Sequence, residues 1–325
     1  MKEDILQMLK SRKDFVSGQE LCEYFQVSRT AVWKVIGQLK NEGYEIEAIN
    51  RKGYRLIASP DILTESEILS GMTTEVMGRH IYYYDCLGST NDEARMLAEK
   101  GAPDGSLVVA ETQNTGKGRM GRAFFSPKGC GVWMSLILKP DIPPVDASMI
   151  TLIAAMAVQE MMESFGLESG IKWPNDLVID RRKTTGILTE MSAGPDVINY
   201  IVVGIGINVN MKEFPEDLRE TAISMAMASG QTYHRAEVIR RVMQYFEANY
   251  RQFLKTGSLA FLKDKYDASL IHLNKEISIH EIRRVWRGVS RGINNIGELI
   301  VSTDGGDTTV RSGEVSIRGI YGYAE

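Results

Sequence analysis

The pattern of apolar residues changes character near residue 58, and that break limits what the chain can fold into more than any other feature. Before it, apolar residues recur at helical spacing: Ile5, Met8 and Leu9 within Lys2 to Arg12, Leu21, Tyr24 and Phe25 after Ser17, and Val32, Ile36 and Leu39 within Arg29 to Asn41. Ser17 opens the second run, Ser28 stands as a cap before the third, Gln26-Val27 is a short turn, and Gly43 stops the third helix. Ile46 with Ala48 and Tyr54 with Leu56 then predict two short strands joined by the turn Asn50-Arg51-Lys52-Gly53. Residues 59–66, SPDILTES, read as a linker. From about Ile81 strand-like and helix-like runs alternate, with strands predicted over 106–111, 131–138, 171–179, 185–191 and 200–209, and helices over 147–165 and 234–254. The last stretch has strand-like runs around Ile277, Val285, Leu299 and Val315, broken by glycines, and reads as a small β-barrel. The expected chain is therefore α+β in three parts: 1–58, 67–272 and 273–325.

At 325 residues, 43% hydrophobic and 25% charged, the chain has enough apolar material for several cores, which excludes intrinsic disorder. Cys22, Cys86 and Cys130 lie far apart with no metal or disulfide spacing, the usage of a reducing cytoplasm. The N-terminus lacks the apolar stretch of a signal peptide, and no run approaches the ~18 apolar residues of a membrane helix. The most apolar helical run, 147–165, is interrupted by Gln159, Glu160 and Glu163 and reads as core. The four histidines show no metal spacing, and no Ser-His-Asp order or H-E-x-x-H string is present, so no protein metal site is expected.

The formal charge of −4 is too small to imply a charged partner, but it divides unevenly: +2 on residues 1–58 and −6 on the rest. Within 26–58, Arg29, Lys34, Lys40, Arg51, Lys52 and Arg55 face only Glu42, Glu45 and Glu47. Helix, helix, turn, helix and basic hairpin make a winged helix-turn-helix. Its third helix suits the roughly 12 Å wide major groove, and Arg51 and Lys52 suit phosphates or the minor groove. The candidate DNA residues are Ser17, Gly18, Gln19, Ser28, Arg29, Thr30, Trp33, Lys34, Arg51 and Lys52. A helical protein-interaction module with solvated charges is the alternative.

Gly116-Lys117-Gly118-Arg119-Met120-Gly121 matches G-x-G-x-x-G formally, yet the residues that follow, FFSPKG, do not open a helix, as a dinucleotide site requires. It is no P-loop either, because Glu111 occupies the first glycine position. What remains is a glycine-rich loop bearing Lys117, Arg119 and Arg122, which either wraps an anion or is a solvated surface loop. Lys172-Trp173-Pro174-Asn175-Asp176 ends a strand-like run, with Lys183 seven residues beyond Asp176. A hairpin there brings Lys172, Asp176 and Lys183 to one edge; otherwise the string is a turn with a surface ion pair. Ser89-Thr90-Asn91 reads alone as a helix cap, and the glycines of Gly204-Ile205-Gly206 imply close packing by a ligand or another element.

Taken in order with Thr112-Gln113 and Gly186, and with Val203-Gly204-Ile205-Gly206-Ile207-Asn208, these strings resemble the biotin-protein ligase family over nearly the whole chain. The N-terminal winged helix matches its bifunctional members, which also repress the biotin operon. The resemblance implies a central mixed α/β domain of the class II synthetase kind and a C-terminal SH3-like barrel. It implies that biotin carboxylate attacks the α-phosphate of MgATP to give biotinyl-5'-AMP, and that a lysine of a biotin carboxyl carrier protein then takes the biotinyl group. Residue by residue, it implies that Ser89, Thr90, Asn91, Gln113, Lys117, Gly118, Arg119, Lys183, Gly204 and Gly206 hold biotin. Arg119, Arg122, Phe124, Lys172, Asn175, Lys183 and Asn208 would hold ATP or the adenylate. Lys183, Arg119, Lys172 and Asp176 form the catalytic set, with Asp176 either serving the acceptor amine or lying near Mg²⁺.

Two positions depart from the family loop, commonly G-R-G-R-x-G-R with Trp two residues later: Lys117 loses a guanidinium fork and Phe124 an indole N–H. The resemblance further implies that biotinyl-5'-AMP orders the loops and favours a homodimer through the central sheet edge, setting two winged helices on a two-fold operator. A module of +2 counters few phosphates, so a monomer is expected to bind DNA weakly. Lipoate or octanoate ligation and non-enzymatic biotin sensing are the competing readings; the K-W-P-N-D string and the winged helix weigh against the first.

Overall fold

The computed structural model describes residues 1–281, 284–312 and 316–319, and divides the chain into two compact units, Met1–Met72 and Thr73–Glu325. In the first, α1 (Lys2–Ser11), α2 (Gly18–Phe25) and α3 (Arg29–Asn41) precede the antiparallel hairpin of β1 (Glu45–Ile49) and β2 (Gly53–Ala58). Ile5, Leu6, Leu9, Leu21, Val32, Val35, Ile36 and Leu39 close one core under the three helices. Ser17 and Ser28 accept from the backbone N–H of Glu20 and Ala31, satisfying donors the first turns leave open. The wing is tied back to the helices because Val16 and Tyr54 exchange backbone hydrogen bonds of 2.8 and 2.9 Å. Gly53 makes this approach possible: at φ +112 its Cβ would stand 2.0 Å from the Val16 carbonyl oxygen. The first unit continues past the hairpin, since Thr64 caps α4 (Glu65–Leu69) and buried Glu67 there receives Lys10 and the Tyr44 hydroxyl.

The second unit is built on a seven-stranded mixed sheet. Its strands are β3 (Ile81–Tyr84), β4 (Leu107–Ala110), β5 (Gly131–Leu138), β6 (Gly170–Lys172), β7 (Asp176–Ile179), β8 (Arg182–Ala193) and β9 (Ile198–Asn208), in the order β3-β4-β5-β9-β8-β7-β6. Only β3 and β4 pair in parallel among these described strands. Helix α5 (Thr90–Glu99) packs Ala94 and Ala98 against Val108, Ile137 and Val202. Helix α6 (Ala147–Ser164) lies against the sheet and with α8 (Arg235–Thr256), which follows the short α7 (Met225–Ser229). By length and composition α6 can cross a bilayer, yet it is buried along most of its length inside the fold, as a core helix is.

The run 171–179, expected as one strand, is a tight hairpin: Trp173-Pro174-Asn175 is the turn between β6 and β7, and the Trp173–Pro174 peptide is cis. Proline has no N–H to give a ladder, so the chain turns where it occurs. The C-terminal strands β10 (Glu276–His280), β11 (Val285–Ile293), β12 (Leu299–Thr303), β13 (Gly306–Val310) and β14 (Ser316–Gly319) form one antiparallel sheet, ordered β13-β12-β11-β10-β14. The run expected around Val315 lies outside the described residues, and β13 occupies a stretch whose glycines had marked it as a break. This sheet buttresses the 173–175 turn. Buried Trp173 donates from Nε1 to the Gly297 carbonyl at 3.1 Å, and its backbone N–H points to His272 Nε2 at 3.3 Å.

Candidate active site and candidate DNA surface

Strand register creates the floor of the central site. One row across the sheet reads Ser135, Gly204, Leu188; the next reads Trp133, Gly206, Gly186, Asp176. Three glycines in adjacent rows leave a trough that other elements fill. A Cβ on Gly204 would lie 2.1 Å from Asn91 Oδ1, and one on Gly206 would lie 2.5 Å from the Phe124 ring. The close packing read from the glycines is therefore supplied by protein side chains, from α5 and from the loop after β4. Phe124 also meets Trp133 edge-on at 5.8 Å between centroids.

Two neighbouring cavities open above this floor. The first is lined by Ser89, Thr90, Asn91, Gln113, Lys117, Met134, Gly204 and Gly206, and Thr90, Asn91 and Gln113 among them belong to one network. Gln113 Oε1 accepts from the Thr90 backbone N–H at 2.8 Å and lies 3.1 Å from the Thr90 hydroxyl. Asn91 donates to Glu190 at 2.8 Å and to the Leu188 carbonyl at 3.3 Å, and accepts from buried Ser135 at 2.6 Å. Ser89 precedes α5 without capping it through its side chain, which differs from its sequence reading and leaves that hydroxyl out of the helix.

The second cavity is lined by Arg122, Phe125, Lys172, Asp176, Asn208, Phe214, Leu218 and Ala222, and it shares Gly118, Arg119, Phe124, Asn175 and Lys183 with the first. Residues 116–123 form the wall between them as a tight hairpin, with Gly118 N–H donating to the Arg122 carbonyl at 2.7 Å. Its cations are placed individually. Lys117 pairs with Asp92 on α5 at 2.6 Å, Arg119 donates to Asn175 at 2.9 Å, and Arg122 is exposed. Burial lowers the Arg119 pKa from its ordinary value, with the Asp176 carboxylate opposing and the Arg122 guanidinium adding to the effect.

The β7–β8 hairpin does bring Lys183 to Asp176, at 2.7 Å, and Lys172 lies opposite Asp176 in the β6–β7 register. Asn175 is locked by donating to the Ile187 carbonyl at 2.8 Å while its own oxygen receives Arg119. Asn208 donates to the carbonyls of Lys183 and Ile223, at 3.4 and 3.3 Å, which fixes the start of β8. The described residues contain no cluster of three His, Cys, Asp or Glu able to hold a metal ion. Sequence reasoning missed Ser135, Glu190, Asp92 and the apolar shelf of Phe214, Leu218 and Ala222; the one local signal was a lone serine in the apolar strand GVWMSLIL. It also passed over buried Glu111, which receives Arg235 bidentately at 2.9 and 3.2 Å and so holds α8 to the end of β4.

In the first unit, Gln19, Arg29, Thr30, Trp33, Lys34, Arg51 and Lys52 are exposed, Trp33 at 70%. Ser17 and Ser28 are committed to caps, and Gly18 is half-buried near the Tyr54 ring. A helix with a cationic outer face and an unburied tryptophan, beside a cationic hairpin tip, has the form of a nucleic-acid reader.

A winged helix-turn-helix joined to a sheet with paired anion-suited cavities defines the class: a DNA-binding module on a ligase. Residues 2–55 match the model of an HTH domain, and residues 83–208 that of the biotin/lipoate A/B protein ligase family. The chain is 41% identical over 321 residues to the bifunctional ligase/repressor BirA of Bacillus subtilis (strain 168), covering 98% of each. It is 27% identical to that of Escherichia coli (strain K12), covering 95% of each. The structure of the biotin protein ligase from Aquifex aeolicus in complex with biotin and ATP matches 74% of this chain and 99% of that one, at a TM-score of 0.66 and 28% identity. The chain belongs to the family of bifunctional biotin ligase/repressors.

Proposed function

We propose that this protein is an ATP-dependent biotin-[acetyl-CoA-carboxylase] ligase that also represses transcription, with both activities drawing on one intermediate, biotinyl-5'-AMP. The observation that carries the reading is the pair of cavities meeting at Lys183, Arg119 and Asn175. Biotin takes the first, near Ser89, Thr90, Asn91 and Gln113; MgATP takes the second, its base against Phe124, Phe214 and Leu218. Biotin carboxylate and α-phosphate then meet at the shared wall, where two anions need cations to approach. A carboxylate oxygen forms a bond to the α-phosphorus and pyrophosphate leaves. Lys183 and Arg119 stabilise the charge on the reacting phosphate, with Lys172 and Arg122 toward the leaving pyrophosphate. Mg²⁺ arrives as part of the nucleotide.

In the second step a neutral lysine amine of the carrier protein attacks the acyl carbon, AMP departs, and the amine loses a proton. A free lysine of pKa ~10.4 is neutral in only about one molecule in a few thousand near pH 7, so a carboxylate at the entry point helps. Asp176 supports that role, because it lines the second cavity and pairs with Lys183, which borders both. Lys117 offers an ammonium and no guanidinium fork, and Phe124 has no indole N–H, so in this loop the adenylate is held chiefly by Arg119.

Repression follows from dimerisation. Beyond Gly186 the outer edge of β8 has no strand partner among the described residues, and Met191 there is half exposed. Such an edge suits isologous pairing of two copies once the adenylate orders the loops. Carrier protein competes for the monomer, so a cell short of acceptor represses biotin synthesis. The setting is the cytoplasm, where ATP and operator DNA are both available. The test is to supply ATP with biotin and an unbiotinylated carrier domain. Pyrophosphate release and labelled carrier are expected; turnover with lipoate but not biotin, or biotin binding without turnover, contradicts the reading.

A further inference from the structure

Resting on the reading of the shared wall as the place of adenylation, we infer that His272 is a positioning residue for that step. It lines neither cavity, and acts by holding from behind the turn that carries Asn175 and Asp176 into the site. Strand β6 has three residues and is the last in the order of the seven-stranded sheet, so its ladder with β7 alone leaves the 173–175 turn little support. The support comes from residues 266–297. Ile271 N–H donates to the Ile171 carbonyl at 3.1 Å, and the buried Tyr266 hydroxyl reaches the Pro174 carbonyl at 3.5 Å. Trp173 is fixed at both ends: its indole N–H donates to the Gly297 carbonyl at 3.1 Å, and its backbone N–H to His272 Nε2 at 3.3 Å.

The backbone N–H of Trp173 can only donate, so Nε2 carries no hydrogen and the one hydrogen of the neutral ring sits on Nδ1, facing the Ser290 hydroxyl oxygen at 2.9 Å. Trp173, His272 and Ser290 are all buried, so water does not replace a lost partner freely. Without an acceptor at Nε2 the Trp173 N–H is stranded, and the turn has to move to satisfy it. Such a movement does not stay in the turn. Asn175, two residues on, holds Arg119 through its oxygen at 2.9 Å and the Ile187 carbonyl through its NH₂ at 2.8 Å. Asp176, the next residue, holds Lys183 at 2.7 Å. Arg119 and Lys183 are the cations of the shared wall, so the anchor behind the turn sets the position of both. Residues 172–176 all line the second cavity, whereas only Asn175 of them reaches the first. A displaced turn therefore disturbs the nucleotide and the reacting groups, and leaves the Ser89 to Asn91 and Gln113 end of the first cavity in place.

The test follows pyrophosphate release by the full-length chain with biotin and ATP. His272→Leu keeps an apolar body but offers no acceptor, and His272→Gln places an amide oxygen where Nε2 stood. His272→Leu is expected to lower kcat about tenfold or more and to raise KM for ATP, while KM for biotin stays within about twofold. His272→Gln is expected to recover kcat to within about threefold of the unmodified protein. An unchanged kcat in His272→Leu, equal losses in the two variants, or a KM for biotin that rises in parallel with that for ATP overturns the positioning role. Where His272→Leu shows no cooperative thermal transition, Ser290→Ala decides, because it removes the acceptor of the Nδ1–H and keeps the imidazole. It is expected to lower kcat by about two- to fivefold with the same split between the two KM values, and an unchanged kcat overturns the inference. Failure of the ligase reading itself is distinct: the unmodified protein then releases no pyrophosphate with biotin and ATP.

Discussion

Lys183 borders both cavities from the second position of β8, and its carbonyl and N–H are pinned by Ile223 and Thr221 at 3.0 and 2.7 Å. The backbone is thereby fixed beside the shared wall, and the Asp176 carboxylate, 2.7 Å away, holds the ammonium there. Lys183→Ala is expected to slow pyrophosphate release by about 100-fold, and DNA binding by the same sample reports whether the first unit is intact. The glycine floor is equally specific. Gly204→Ala forces the Asn91 amide aside, at a cost of about 1–3 kcal/mol, and is expected to raise KM for biotin more than for ATP. Gly206→Ala displaces Phe124, which borders both cavities, and is expected to raise both. Most groups at this scale were legible in the sequence because the cations and glycines occur in strings. Ser135, Glu190 and Asp92 were not, since each acts through a partner on another element, and a linear reading holds no record of that pairing.

The elements that position the site differ in how openly the sequence announces them. Helix α3 has the bounds its spacing and its capping serine imply, because a cap and a periodic apolar face are local signals. The β6–β7 hairpin was hidden inside an apolar run, and only its folded partners explain it: Trp173 and His272 anchor the turn on the C-terminal sheet. His272 Nδ1 pairs with Ser290 at 2.9 Å, and Nε2 faces the Trp173 N–H, an arrangement that needs a neutral ring. Burial first, and then the nearby Lys172 charge, push its pKa from 6.5 down to about 4. Between those values the unfolded chain binds a proton that the folded chain refuses, so stability rises with pH across this window and is lost as pH falls through it. Melting temperature followed from pH 4 to 6.5 is expected to climb, and His272→Gln is expected to flatten the slope; an unchanged slope places the titration elsewhere. The Glu111–Arg235 pair makes a second test of an element joint. Arg235→Met strands a buried carboxylate and is expected to destabilise by about 3–5 kcal/mol, measured by denaturant unfolding.

At the scale of the whole molecule, the charge of −4 conceals a division of labour: +2 on a module whose exposed cations suit DNA, and −6 on a body whose site cations are confined to the loop and two lysines, Lys172 and Lys183. Arg29→Glu or Arg51→Glu is expected to weaken operator binding by about tenfold or more with ligation unchanged, and loss of ligation would show that the two activities are not separable. One module neutralises few phosphates, so in the proposed function regulation comes from joining two, with biotinyl-5'-AMP as the agent that joins them. The most direct test is the sedimentation mass of the full chain with biotin alone, ATP alone, both together, and both with unbiotinylated carrier domain. A dimer is expected only with both ligands, returned to monomer by the carrier. A mass that does not change when the adenylate forms, or a dimer that the carrier leaves intact, contradicts it.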